Sequence, residues 1–399
     1  MASSKLVGNI ARMVGVCGFA MLGGLSWAHE PVASPLQVEQ QLKAKLSPHV
    51  ILPGEPQIVR LPTMAEAVMA TETVWKPICS STPGSVTSDD LRAMATNHAA
   101  QMSAKGVRVV DRQQQSPTAG LNVVYVLASS VPAAAVPAFA AAEAYLESQF
   151  PNDPFTLTVT VSFAPLSTGV IGGTGSSYGS LAWADTRATL QAGADASDSI
   201  LASLPSGTTI PVRYSTSRTT SETRVFFTFA NFKANGGAVT GDDASMQYST
   251  AFPFDFDPAN GVSANTISLQ DVIIHETGHA MGCTSGVDFR SGDIEVFDIF
   301  RFRRTDGSTS SDFNPDTNAE FTIRPRWAVF NNPNDDCNLD IISTEYRVAD
   351  GSPWQASHFR EQVPAIGIMD PAFSYGETFY PTFLRTSDLT LFDAIGYDR

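Results

Sequence analysis

The sequence predicts an α+β protein in which helices pack on a mixed, twisted sheet. Three observations carry that expectation. Apolar or alternating runs read as strands at 121–127, 154–163, 224–232 and 244–250. Helical patterns lie before and between them, at 88–104 and at 131–150, where Phe139, Ala142, Tyr145 and Leu146 recur at helical spacing. A further helix begins after Ser268, and its residues Val272, Ile273, Ile274, Ala280 and Met281 make it apolar nearly all round. Strands and helices alternating in this way suit a sheet covered by helices.

In chain order, residues 1–28 read as a signal peptide. Lys5 and Arg12 give the positive end, 13–25 is an apolar run short of a bilayer span, and Ser26-Trp27-Ala28 is a small-x-small cleavage site. The expected protein is secreted, to the periplasm or the medium, with no membrane anchor after cleavage. The net charge of −15 becomes −17 once Lys5 and Arg12 leave, which argues against nucleic acid and anionic membranes as partners. Oligomeric state is open. Of Cys17, Cys79, Cys283 and Cys337 the first leaves with the signal. Three thiols allow one bridge and one unpaired Cys, and Cys283–Cys337 is the pairing hypothesised, although connectivity does not follow from sequence. His29 would become the mature N-terminus, a copper-binding pattern with no other support.

Residues 29–118, with Pro31, Pro35, Pro53, Pro56 and Pro62 and a helix capped by Ser88 and Asp89, read as a separate N-terminal region. A pro-segment is one reading of it, in which Cys79 would occupy a metal's open position; the reading favoured for Cys79 is an ordinary free or paired structural Cys. The strand at 121–127 opens a second region, 119–284. The Gly/Ser-rich stretch 169–179 reads as a loop, and it lacks the Lys-Ser/Thr ending of a phosphate loop. Asp255, Asp257 and Asn260 are spaced like calcium ligands, but a solvated acidic loop is the favoured reading, since this is no EF-hand. Residues 285–399 form a third region. Its 289–357 portion carries an aromatic run at 296–302, a polar segment at 305–318 and a short strand at 327–330, and Thr386-Ser387-Asp388 caps a closing helix.

The chemistry concentrates in His275-Glu276-Thr277-Gly278-His279-Ala280-Met281-Gly282. Positions four apart share a helix face, so His275 and His279 aim two imidazoles at one ion. Glu276 lies beside them, placed to take a proton from a water at that ion. Two neutral imidazoles suit zinc. Ser268 with Asp271 forms a capping box, and Gly282 is a natural helix stop. A buried helix carrying these polar groups is costly unless they are used. A catalytic zinc needs a third protein ligand. Six residues after His279 stands Ser285, a poor ligand. Asp288 is one candidate, and the distant histidines His29, His49, His98 and His358 are others. His358 lies in Ala356-Ser357-His358-Phe359-Arg360, eleven residues before Met369 of Gly367-Ile368-Met369-Asp370-Pro371.

This combination resembles the metzincin clan of zinc peptidases, which place a Met-containing turn beneath the metal. Within the clan it is most similar to the leishmanolysin-like group, in which a long insertion follows the motif's Gly and the third His arrives shortly before the Met turn. Here the gap from His279 to His358 is 79 residues (358 − 279). The resemblance covers the organisation of roughly 120–399 and implies a zincin architecture with a smaller, irregular C-terminal subdomain. It implies zinc ligands His275, His279 and His358, general base Glu276, Met369 as the Met-turn residue, and a bacterial-type secreted metalloendopeptidase acting on protein or peptide. By the same analogy 244–250 is the edge strand along which substrate pairs, the alternative being an ordinary inner strand. Two positions depart from the pattern. Cys283 stands where an apolar residue is expected, and Pro371 stands where some members have a Tyr, leaving Tyr375 and Tyr380 as weak substitutes. The rival class is an exported zincin-fold binding protein or adhesin whose metal is structural.

Overall fold

The computed structural model describes residues 68–69, 74–80, 88–103, 106–111, 120–195, 201–202, 204–215, 218–286, 294–302, 326–328, 347–348, 355–359 and 364–398. The signal segment, His29, His49, Asp288, Cys337 and the polar segment 305–318 lie outside these residues. Residues 59–399 form one compact unit.

The elements run β1 (Val68–Met69), β2 (Val74–Ser80), α1 (Ser88–Met102), β3 (Arg108–Val110), β4 (Asn122–Leu127), α2 (Val136–Gln149), β5 (Thr156–Ala164), β6 (Val170–Ser176), β7 (Tyr178–Ala182), α3 (Trp183–Gly193), β8 (Ile210–Ser215), β9 (Arg218–Glu222), β10 (Arg224–Thr228), α4 (Phe229–Ala234), β11 (Ala244–Ser249), β12 (Phe254–Asp255), β13 (Ile267–Ser268), α5 (Leu269–Ala280), β14 (Arg301–Phe302), β15 (Arg326–Ala328), β16 (Arg347–Val348) and α6 (Thr386–Ala394). The class is α+β, and the main sheet is mixed, twisted and open, in the order β2-β6-β11-β5-β4-β3. Its inner pairs β11/β5 and β5/β4 are parallel, whereas β2/β6, β6/β11 and β3/β4 are antiparallel.

Register sorts the faces. Tyr125 pairs with Val159, and Val161 pairs with Met246, which pairs with Thr174, so these side chains share one face. Against that face lie α2 and α5: Phe139 of α2 meets Tyr125 and Tyr248 edge-on, and the Tyr125 hydroxyl bonds Thr277 of α5 at 2.8 Å. The opposite face carries Thr160 and Ser162, which bond His98 of α1 at 2.9 and 2.7 Å. Helix α1 therefore covers the second face, with Met94 and His98 buried one turn apart.

Three expectations change here. First, 244–250 is not an edge strand. As β11 it pairs on both sides, and the strand beyond it, β6, is itself covered by β2. Second, 169–179 is no loop but two strands, β6 and β7, separated only by Ser177. Gly172 of β6 is there for close packing: a Cβ on it would sit 3.2 Å from both Glu276 and Tyr248. Third, the described part of 29–118 is joined to the sheet that follows it, because β2 and β3 supply the two edges of the main sheet. The stretch 224–232 divides into strand β10 and helix α4, and the region between α3 and β10 holds the hairpin β8/β9.

The C-terminal segment wraps α5 along its length. Asp271, in the first turn of α5, accepts from the Phe379 amide and the Thr378 hydroxyl at 2.6 and 2.9 Å. At the other end the Tyr397 hydroxyl donates to the Met281 carbonyl at 2.8 Å. Between them, Asn231 of α4 holds the Ile395 carbonyl at 2.8 Å. Among the described residues no helix is long and apolar enough to cross a membrane.

Candidate metal centre

Helix α5 forms where its local signals place it. The Ser268 hydroxyl accepts from the Asp271 amide at 3.4 Å, and every residue from Leu269 to Ala280 is buried. Gly282 takes φ +114°, the left-handed region open to Gly. That turn brings the Cys283 carbonyl back onto the His279 Nδ1 at 2.6 Å. Cys283 is fully buried and behaves as a small apolar residue, its thiol donating to the Ser357 carbonyl at 3.3 Å. The hypothesised bridge to Cys337 lies outside the described residues. Ser285 is no ligand: its hydroxyl donates to Asp298 at 2.6 Å, and its amide donates to the Ser357 hydroxyl at 3.0 Å. These contacts, with the Phe359 amide donating to the Met369 carbonyl at 3.0 Å, fix the segment that carries His358.

The structure brings His275, His279 and His358 together. One ligand atom from each lies within 4.8 Å of the others, and all three residues are buried. Each Nδ1 faces a carbonyl: Ile368 at 2.6 Å for His275, Cys283 at 2.6 Å for His279, and Gln355 at 3.2 Å for His358. A carbonyl only accepts, so each Nδ1 carries a proton, and in the neutral imidazole Nε2 is then the nitrogen with a lone pair to offer a metal. The Nε2 atoms of His275 and His279 lie 3.0 Å apart. Two lone pairs that close repel unless a cation lies between them. Burial lowers the His275 pKa to about 4, against a smaller opposing effect of its bond to Ile368, which keeps it neutral at pH 7. The donor set therefore fits a divalent metal ion that favours imidazole. No other such group converges among the described residues. Asp255 and Asp257 spend carboxylate oxygens on the amides of Asp257 and Ala259, so they serve as turn caps.

Glu276 is buried beside the triad. Thr174 of β6 donates its hydroxyl to the Glu276 Oε2 at 2.6 Å, and Gly172 leaves room for Oε1. Met369 is buried with its sulfur against Gly278, in the turn of α5 between the two motif histidines. Phe373 meets the His275 ring edge-on at 5.3 Å. Tyr375 and Tyr380 are about half exposed and rest on Phe252 and Phe383. In the main sheet the backbone of Cys79 on β2 pairs with Gly172; its side chain is outside the described residues.

Sequence reasoning missed Thr174, Gly172 and Phe373, none of which carried a signal. No protein family, curated protein or solved structure matches this chain.

Proposed function

We propose that the chain is an exported zinc metalloendopeptidase of metzincin type, hydrolysing peptide bonds in proteins or peptides. The observation that carries the reading is the convergence of three buried imidazoles beside a buried Glu that a Thr hydroxyl orients. A zinc ion there would activate a water and polarise the scissile carbonyl. His275, His279 and His358 would hold it. Glu276 accepts the proton of the attacking water and returns it to the leaving amine, a role worth about 100- to 10,000-fold in rate. Met369 supports the helix at Gly278 and is no ligand. The signal-like residues 1–28 support export; an N-terminal sequence of the mature protein that still begins at Met1 would count against it.

The test is hydrolysis of an unfolded protein such as casein. The wild type is expected to cleave it, a chelator to stop cleavage, and Glu276→Ala to keep its zinc while losing at least ~100-fold in kcat/KM. Cleavage undiminished in Glu276→Ala would remove Glu276 from the mechanism.

One observation favours a second reading, an exported binding protein or adhesin with a structural metal: His275, Glu276, His279 and His358 are all buried. A structural zinc prefers four protein ligands, whereas the described residues bring three together. Zinc bound by a wild type that cleaves nothing would select this reading.

A further inference from the structure

We propose that Asp388 is a positioning residue for the metal centre, acting through the peptide group between Ile368 and Met369 to orient His275 and raise its basicity toward a divalent cation. The inference rests on the reading of the three histidines as a metal site. It does not depend on the reaction that the site performs.

The path is an unbroken run of hydrogen bonds. His275 Nδ1 donates to the Ile368 carbonyl at 2.6 Å. The N–H of that same peptide group, belonging to Met369, donates to Asp388 Oδ1 at 3.1 Å. A peptide that donates at one end and accepts at the other is polarised by both partners, so a negative charge at its N–H makes its carbonyl a better acceptor. A stronger acceptor on Nδ1 places more electron density on Nε2, the effect known from carboxylates that bond ligating histidines directly. Here one peptide group is interposed.

The rest of the carboxylate's surroundings serves the same end. Ile368 N donates to Oδ2 at 2.9 Å and Arg385 N donates to Oδ2 at 2.8 Å. An acid three residues into a helix ordinarily reaches back to its N-cap amide. Asp388 does this through Arg385, yet its other two bonds go to residues about 20 positions earlier in the chain. Gly367 is bare where a Cβ would collide with both Asp388 oxygens, so the turn can seat directly on the carboxylate. Asp388 is fully buried, and burial pushes its pKa up to about 6, against the smaller lowering effects of its three amide donors. It is thus mostly charged at neutral pH. The other motif histidine lacks such a path: the Thr284 amide, in the same peptide as the Cys283 carbonyl, donates to the Gly282 carbonyl.

Asp271 supplies a control. It is another buried carboxylate tying the same C-terminal segment to α5, through Phe379 and Thr378, with no bond to the 368–369 peptide. The experiment measures the zinc dissociation constant of the purified full chain by competition with a chromophoric chelator, alongside the thermal midpoint of each metal-free protein. Asp388→Asn is expected to weaken zinc binding about 10-fold or more, and Asp271→Asn to stay within about twofold of wild type while also losing stability. Wild-type affinity in Asp388→Asn would overturn the proposal. So would equal weakening by Asp271→Asn, since general loosening would then explain both. If Asp388→Asn does not fold, Asp388→Ala supplied with formate replaces it. Restoration of affinity by formate and not by formamide supports the charge relay, and any other pattern overturns it. A wild type that binds no zinc, or one whose zinc survives His275→Ala, defeats the metal-site reading and the relay together. A wild type that binds zinc but hydrolyses nothing leaves the relay's test intact.

Discussion

Gly278 has no room for a side chain. A Cβ there would stand 2.5 Å from the Met369 sulfur and 3.3 Å from Phe392. Gly278→Ala is therefore expected to displace the 367–370 turn and destabilise the protein by about 1–3 kcal/mol, read as a lowered thermal midpoint. A midpoint equal to wild type would show that the turn gives way freely. Asp153 makes a different prediction. Burial, reinforced by the charge of Asp398, pushes its pKa from 3.8 up to about 8. The folded state then holds a proton that the unfolded chain has released, so stability falls as pH rises between these values. Asp153→Asn should match wild type near pH 4 and exceed it increasingly up to about pH 8 in thermal midpoint. A difference that does not grow with pH would contradict the assigned shift. Thr174→Val should keep metal and fold but lower turnover, because the Glu276 carboxylate loses its 2.6 Å donor, and Thr174→Ser should restore it.

Helix α5 was legible in the sequence because its signals are local: a Ser cap, an apolar run, a motif at helical spacing and a Gly stop. Strand β6 was not, since its glycines read as a loop until the approach of α5 gives Gly172 a purpose. Neither was the inner position of β11. A short strand with Tyr, Met and Ser looks the same at an edge or in the middle, and only its pairing with both β5 and β6 decides. The Pro-rich composition of 29–118 suggested a detachable region, whereas β2, α1 and β3 supply both edges and one covering layer of the main sheet. A chain beginning at residue 119 is expected to lose its cooperative thermal transition, measured by circular dichroism. A sharp native-like transition in that fragment would show the three elements to be dispensable.

The molecule as a whole is built so that its C-terminal segment closes on one helix. Contacts at Asp271, at the 368–369 peptide and at Met281 span α5 from first turn to last. In the sequence the two motif histidines were readable from spacing alone. His358, 79 residues beyond His279, was assigned through the resemblance, carried by the segment Ser357-His358-Phe359-Arg360 shortly before Met369, because spacing from the motif does not reach it. The structure draws it to the site through the Ser357 hydroxyl, which accepts from the Ser285 amide, and the Phe359 amide, which donates to the Met369 carbonyl, contacts with partners distant in sequence.

The most direct test of the account is the zinc content of the purified wild type, His358→Ala and Asp288→Ala, each shown to be folded. The account predicts one zinc per chain in the wild type and in Asp288→Ala, and none retained by His358→Ala. Zinc kept by His358→Ala and lost by Asp288→Ala would contradict it and move the third ligand to the other side of the insertion.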